Sequence, residues 1–280
     1  MQQDTGKFRK NAKDQFYTKP SVAQECVNKI LSAFPDWRLY EWIEPSAGNG
    51  VFLKALPPES SIKKFGIDLE PKAEGIEEGD FLNWAQPKEH RRIFFGNPPF
   101  GRQGSLAKSF IKHATSSGDI IAFILPRSFV KPSMSRAFPR LFHCVLSEEL
   151  EKNSFEVNGE AYDVPCIFQI WEKRGSERPV EEAVQEMGFR YVKYGQPFHI
   201  AFKRAGGLAG KCYPSDPTKT YNYQYHYFLR LDDASFPHLQ KIIDSVNSHT
   251  FPSNTVGPRS LSKSEANEVL NQVLAELTSS

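Results

Sequence analysis

The chain is poor in the features that mark most specialised protein classes. It has four cysteines in 280 residues, Cys26, Cys144, Cys166 and Cys212, far apart in sequence. No two stand at a metal-ligand spacing, which argues against a zinc cluster or disulfide scaffold and for reduced thiols in or near a core. No apolar run approaches the roughly 18 residues that a membrane span needs, and the polar N-terminus lacks a signal-peptide core. The expectation is an intracellular protein, in cytoplasm or nucleus, with no membrane partner. Internal repeats and low-complexity tracts are missing. Neither sign of charge dominates, with 35 Lys and Arg against 33 Asp and Glu, so bulk charge does not announce a nucleic-acid binder. There is no Gly-Lys-Ser phosphate loop and no three-glycine dinucleotide fingerprint. The hydrophobic and charged fractions are those of an ordinary globular protein, long enough for one large domain or for one domain plus a smaller one.

The order of apolar segments carries the fold. Residues 1–14, with Lys7, Arg9, Lys10 and Lys13, read as a flexible basic arm. Val22, Ala23, Cys26, Val27, Ile30 and Leu31 recur at helical spacing up to about Phe34. Strands and helices then alternate. Strands are predicted at 39–43, 64–67, 93–95 and 120–125, with helices at 51–56 and 105–116. Two further strands, at 144–150 and 164–171, lie too close for a helical crossover and predict an antiparallel hairpin. The pattern implies an α/β fold, a doubly wound, mostly parallel sheet ending in that hairpin. After Arg174 the style changes to aromatics, glycines and prolines. Tyr221, Tyr223, Tyr225 and Tyr227 alternate at strand spacing, and helices are predicted at 236–246 and 262–277. Residues 15–174 are therefore expected to be the main domain and 175–280 a small accessory or substrate-recognition extension.

The candidate chemistry sits where predicted strands end. Asn97-Pro98-Pro99-Phe100 follows the apolar run 92–96. Two prolines can continue neither a helix nor a central strand, so the tetrapeptide is a rigid turn at a carboxyl edge, where open α/β sheets bind ligands. An amide oxygen and a backbone carbonyl can together accept from one NH2 group, and a ring can stack on a planar base. Glu44-Pro45-Ser46-Ala47-Gly48-Asn49-Gly50 lies between a strand and a helix, with small residues that permit close ligand approach beside free helix N–H groups. About 20 residues on, Asp68 ends a strand, a position suited to ribose hydroxyls, with a helix cap as the structural alternative. Asp80 could accept from an adenine amino group while Phe81 packs on its ring.

These pieces, in this order, resemble class I S-adenosylmethionine-dependent N6-adenine methyltransferases, especially the restriction-type DNA enzymes. The likeness rests on Gln15 to Pro20, Glu44 to Gly50, Gly66-Ile67-Asp68, Gly79 to Leu82, Asn97 to Gly101 and Ile120 to Phe129, and covers roughly residues 14–174. It implies a seven-stranded Rossmann-like sheet and a cofactor pocket for S-adenosylmethionine made by Tyr17, Thr18, Glu44, Pro45, Ser46, Ala47, Gly48, Asp68, Asp80 and Phe81. It also implies that Asn97 and the Pro98 carbonyl hold the target amine, with Pro99 stiffening the turn and Phe100 stacking on the base. The partner would be nucleic acid, DNA narrowly ahead of RNA, with protein partners left open. Phe155 or Tyr162 is a candidate second stacking wall. Lys203 and Arg204, within the aromatic and glycine-rich stretch 196–211, are candidate phosphate contacts. Cys166, preceded by Pro165, lies inside an apolar strand and reads as structural. A similar turn serves RNA adenine enzymes and protein glutamine N5 methyltransferases, and a catalytically inactive scaffold of the same fold is the non-enzymatic alternative.

Overall fold

A computed structural model describes residues 16–157, 159–179, 184–251 and 259–278. The expected basic arm at 1–14 lies outside the described residues. The chain divides into two compact units, Met1–Val180 and Glu181–Ser280.

In the first unit the elements run β1 (Tyr17–Thr18), α1 (Pro20–Ala33), β2 (Tyr40–Pro45), α2 (Val51–Ala55), β3 (Lys63–Asp68), β4 (Ile76–Glu78), β5 (Arg91–Gly96), α3 (Ser105–Ser117), β6 (Ile120–Pro126), α4 (Pro132–Ser135), β7 (Phe142–Glu149), β8 (Phe155–Val157), β9 (Glu160–Tyr162) and β10 (Cys166–Lys173). Seven strands form one sheet in the order β4-β3-β2-β5-β6-β10-β7. β4, β3, β2, β5 and β6 are parallel, while β10 runs antiparallel to both β6 and β7. This is the expected doubly wound, Rossmann-like sheet with its terminal antiparallel hairpin. Every residue of β6 is buried, as its unbroken apolar sequence requires of a central strand covered on both faces. Helix α3 packs through Ala107, Phe110, Ile111 and Ala114, one helical stripe. Strand β5 carries one buried charge, Arg92, 1% exposed. It pairs with Glu41 at 2.7 Å and donates to the carbonyls of Gln86 and Pro87, so its buried charge is fully partnered.

The chain builds β2, β3 and β4 outward, then returns to place β5 on the other side of β2. The carboxyl ends of β2 and β5 therefore flank the point where the winding reverses, the place where such sheets form a crevice. A separate small sheet, β1-β8-β9, pairs Thr18 with Phe155 and Tyr17 with Glu156.

The second unit holds β11 (Phe189–Val192), β12 (Ile200–Lys203), β13 (Cys212–Pro214), β14 (His226–Leu231), α5 (Leu239–Ser248) and α6 (Lys263–Thr278). Its antiparallel sheet has the order β11-β14-β12-β13 and shares an apolar core with both helices. Ser262 and Glu265 close a reciprocal cap at the start of α6, Ser262 N–H donating to Glu265 and Glu265 N–H to Ser262 Oγ. The tyrosine alternation is not one strand. Only Tyr227 lies on β14, because Asn222 accepts from Gln224 N–H and folds the chain into a turn just before it. Cys26, Cys166 and Cys212 are buried, whereas Cys144 is exposed on the edge strand β7, contrary to a core placement for all four.

Candidate active site

A cavity of about 400 Å³ opens at the carboxyl ends of β2, β3 and β5. Three backbone features shape it. The Glu44–Gly50 turn is tied to the end of β3 by Ala47 N–H donating to the Ile67 carbonyl (3.0 Å) and Gly48 N–H donating to Asp68 (2.7 Å). Ser46 sits in the left-handed region at φ 59°, a conformation a non-glycine residue holds only where its surroundings enforce it. Gly96 has φ +127°, and a Cβ there would stand 3.2 Å from Glu44 Cγ. Glycine therefore lets β5 end tight against β2 and deliver Asn97 to the cavity wall.

Glu44 is 2% exposed. It accepts from Leu53 N–H at 3.1 Å and so anchors the start of α2 from the strand before it. Burial pushes its carboxyl well above the ordinary glutamate range, against the opposing pull of the Leu53 and Phe52 N–H groups. Asp68 accepts from Gly48 N–H and, at 2.8 Å, from Glu70 N–H. Each carboxylate oxygen has two lone pairs, so Asp68 retains acceptor capacity at the cavity wall.

The Asn97–Phe100 turn is held from behind. The Phe100 carbonyl accepts from Leu106 N–H (3.2 Å) and Ala107 N–H (3.3 Å), joining the turn to the first turn of α3. Asn97 Nδ2 donates to the Phe16 carbonyl and to Thr18 Oγ1, both at 3.2 Å. A carbonyl oxygen only accepts, so the amide edge facing Phe16 must carry the hydrogens and the amide orientation is chemically forced. The other edge, Oδ1, is buried and has no hydrogen-bond partner among the described residues. A lone amide oxygen without a donor is costly to bury, so it calls for one, from an ordered water or from a bound ligand.

Of the residues expected from sequence, Tyr17, Thr18, Glu44, Ser46, Ala47, Gly48, Asp68, Asn97, Pro98, Pro99 and Phe100 all line this one cavity. Pro45 ends β2 and is buried without lining it. Asp80 and Phe81 stand elsewhere. Asp80 does not line the cavity; its two oxygens accept one bond each, from Leu82 N–H and Asn83 Nδ2, as it caps a single helical turn. Phe81 is 3% exposed and packs among Trp84, Phe94, Phe110 and His113. Phe155 and Tyr162 do not form a wall either. Phe155 is fully buried and meets the Phe16 ring edge-on at 6.4 Å, while Tyr162 stacks on Phe16 at 5.3 Å. Their pairing in the small β1-β8-β9 sheet turns them toward Phe16. Phe16 was not singled out from sequence, yet it lines the cavity and its carbonyl orients Asn97. Its place in the matched Gln15–Pro20 segment was the available signal. Lys203 and Arg204 lie in the second unit, Lys203 Nζ 5.6 Å from the Tyr225 ring and Arg204 Cζ 4.9 Å from that of Tyr227. Cys166 is a buried residue of β10, as its apolar context implied.

No protein-family model matches the chain, and no curated protein matches it. Solved structures with a similar fold include the candidate RNA methyltransferase PH1948 of Pyrococcus horikoshii, at 17% identity and TM-score 0.44, covering 59% of this chain and 91% of that one. TrmN of Thermus thermophilus matches at 17% identity and TM-score 0.38, over 55% of this chain and 48% of that one. Magnesium protoporphyrin IX methyltransferase of Synechocystis PCC 6803, solved with bound S-adenosylmethionine, matches at 10% identity and TM-score 0.37, over 55% and 80%. Values this low carry neither substrate nor partner across. Among the described residues no helix is long and apolar enough to cross a membrane, and no group of three or more His, Cys, Asp or Glu could hold a metal ion.

Proposed function

We propose that the first unit transfers the methyl group of S-adenosylmethionine to the N6 amine of adenine in nucleic acid, DNA being the first polymer to test. The observation that carries this reading is the Asn97 amide, locked by Phe16 and Thr18 so that an unpaired Oδ1 is left for an incoming N–H. The cavity fits the cofactor in size for a small-molecule site and in chemistry. Gly48 leaves open the space between Tyr17 and Asp68 that a Cβ would enter, and Asp68 has acceptor capacity for ribose hydroxyls. Tyr17, Thr18, Ser46, Ala47 and Gly48 would form the rest of the cofactor's wall. When bound, the cofactor supplies an electrophilic methyl group on a sulfonium. The chain's own part is positional. Asn97 Oδ1 and the Pro98 carbonyl accept the two amine hydrogens, which draws the nitrogen lone pair out of conjugation with the ring and aims it. The two prolines fix the acceptors, and the ring of Phe100 packs against the base. No side-chain base is needed; alignment and fixed dipoles supply the rate. In a duplex the base must first leave the stack, which favours substrates where it is already accessible.

The test is incubation with labelled cofactor and separate pools of duplex DNA, single-stranded DNA, RNA and protein, followed by identification of the labelled nucleoside or residue. N6-methyladenine from a nucleic-acid pool is the expected product. Asn97→Ala should lower the rate by about 100-fold or more while cofactor binding, read by calorimetry, stays intact. Label on protein glutamine, or full activity in Asn97→Ala, would overturn the reading. So would cofactor binding with no transfer to any pool, which would favour an inactive scaffold.

A further inference from the structure

Charge in this chain is balanced overall and lopsided locally. Between Asn97 and Ser147 there are seven Lys and Arg, namely Arg102, Lys108, Lys112, Arg127, Lys131, Arg136 and Arg140, against one acid, Asp119. That acid is already engaged by Lys88 and by Arg92 N–H. Arg127 and Arg140 are paired with Glu149 and Glu177. Lys108, Lys112 and Arg136 are exposed and make no ion pair among the described residues. These three line one groove of about 480 Å³, between α3 and the end of α4.

The arrangement is unfavourable for α3 taken alone. Lys108 and Lys112 are four residues apart, so their like charges face each other on one side of the helix. Lys108 is also near the positive end of the helix dipole, with no acid in the first turn to offset it. Thr115 and Ser116 also line the groove, but their hydroxyls donate to helix carbonyls, Thr115 to Lys112 and Ser116 to His113. The free donors are therefore the three cations. α3 begins at the Asn97–Phe100 turn, whose Phe100 carbonyl accepts its first N–H groups. At 1.5 Å rise per residue, Lys108 and Lys112 stand roughly 5 and 11 Å along the helix from Ser105. The positive track thus lies on the helix that is anchored to the Asn97–Phe100 turn and runs away from it.

We propose that this groove, lined by Lys108, Lys112 and Arg136, holds phosphates of the nucleic-acid backbone next to the target base. The inference rests on the nucleic-acid reading above. It assigns the first unit its own substrate contact, independent of Lys203 and Arg204 in the second unit. Phosphate contacts of this kind fix register and carry no base preference. The groove therefore contributes affinity and positioning, while the choice of base stays with the Asn97 turn.

The test uses the full chain and the triple variant Lys108→Gln, Lys112→Gln, Arg136→Gln, all exposed positions outside the cavity. Binding of fluorescein-labelled, mixed-sequence DNA and RNA oligonucleotides, single-stranded and duplex, is followed by anisotropy across a salt series. Loss of three phosphate contacts should reduce the slope of log K against log salt by about 2 for single strands and nearly 3 for duplex. Cofactor affinity should be unchanged. An unchanged slope in a variant that still methylates nucleic acid would refute the groove and leave the proposed function standing. No methylation or binding of any nucleic acid by the native protein would refute both. Binding of polyglutamate as tight as that of the oligonucleotides, abolished by the same variant, would reassign the groove to acidic protein.

Discussion

Thr18→Val replaces the hydroxyl of a buried residue, 5% exposed, by a methyl of similar size and removes one of the two acceptors that orient Asn97. The Phe16 carbonyl remains, so the amide keeps one of its two N–H partners. One net hydrogen bond is worth about 0.5–1.5 kcal/mol. If that energy serves to hold Oδ1 toward the target amine, the methyl-transfer rate at saturating substrates should fall by about twofold to tenfold. The abandoned N–H is buried, so folding stability should fall as well, by about 1–3 kcal/mol. Thr18 also lines the cofactor's proposed wall, and the two roles separate kinetically. A residue that only binds cofactor would raise the cofactor's KM and leave kcat alone; a residue that positions Asn97 would lower kcat. Thr18→Ser restores the oxygen and should return kcat to near the native value. The reasoning fails if Thr18→Val keeps native kcat, or if Thr18→Ser is as slow as Thr18→Val.

Two further outcomes follow from the geometry. Asp80→Ala should lower stability by about 1 kcal/mol through loss of a cap and leave cofactor affinity within about twofold; a tenfold loss measured by calorimetry would return Asp80 to the cofactor site. Glu44→Gln keeps an acceptor for Leu53 N–H but removes an ionisable group that burial holds above its ordinary value of 4.5. In the unfolded chain Glu44 ionises near that ordinary value and in the folded chain only at higher pH, so its contribution to stability is full below about pH 4.5 and declines as pH rises above it. The variant should therefore gain on the native protein as pH rises above about 4.5 in denaturant melts, and a difference that does not change with pH would show that burial does not raise the Glu44 carboxyl in the fold.

The parallel strands were legible because burial on both faces demands unbroken apolar sequence. Ile120–Leu125 has no other reading, and β6 proved fully buried. The β7–β10 hairpin followed from the shortness of its connection. β4 escaped notice because Ile76–Glu78 is an edge strand of three residues with two exposed glutamates, too short and polar for a period-two pattern. The tyrosine series 221–227 misled for a related reason. Alternating aromatics satisfy a strand pattern, yet the Asx turn at Asn222 overrides it at the third residue, and local side-chain to backbone bonding of this kind leaves only a weak trace in periodicity.

The division within the site is more instructive. Residues that reached the cavity are those whose position is fixed by a strand end, such as Asp68 after β3 and Asn97 after β5. Those that did not, Asp80, Phe81, Phe155 and Tyr162, are side chains for which a capping, core or bracing role competes with ligand contact, and sequence cannot weigh that competition. Asp80 finds two local N–H donors within three residues and caps a helical turn instead of lining the cavity. The property that matters most for the proposed chemistry, which edge of the Asn97 amide faces the target, depends on a carbonyl 81 residues away, at Phe16. No local pattern around Asn97 encodes it. It is set by the strand pairing of β1 with β8, which brings the Phe16–Thr18 segment to the end of β5. Under the proposed function the small β1-β8-β9 sheet acts on the reaction at one remove, and lesions that loosen it, including truncation of the buried Phe155, should affect kcat before they affect cofactor binding.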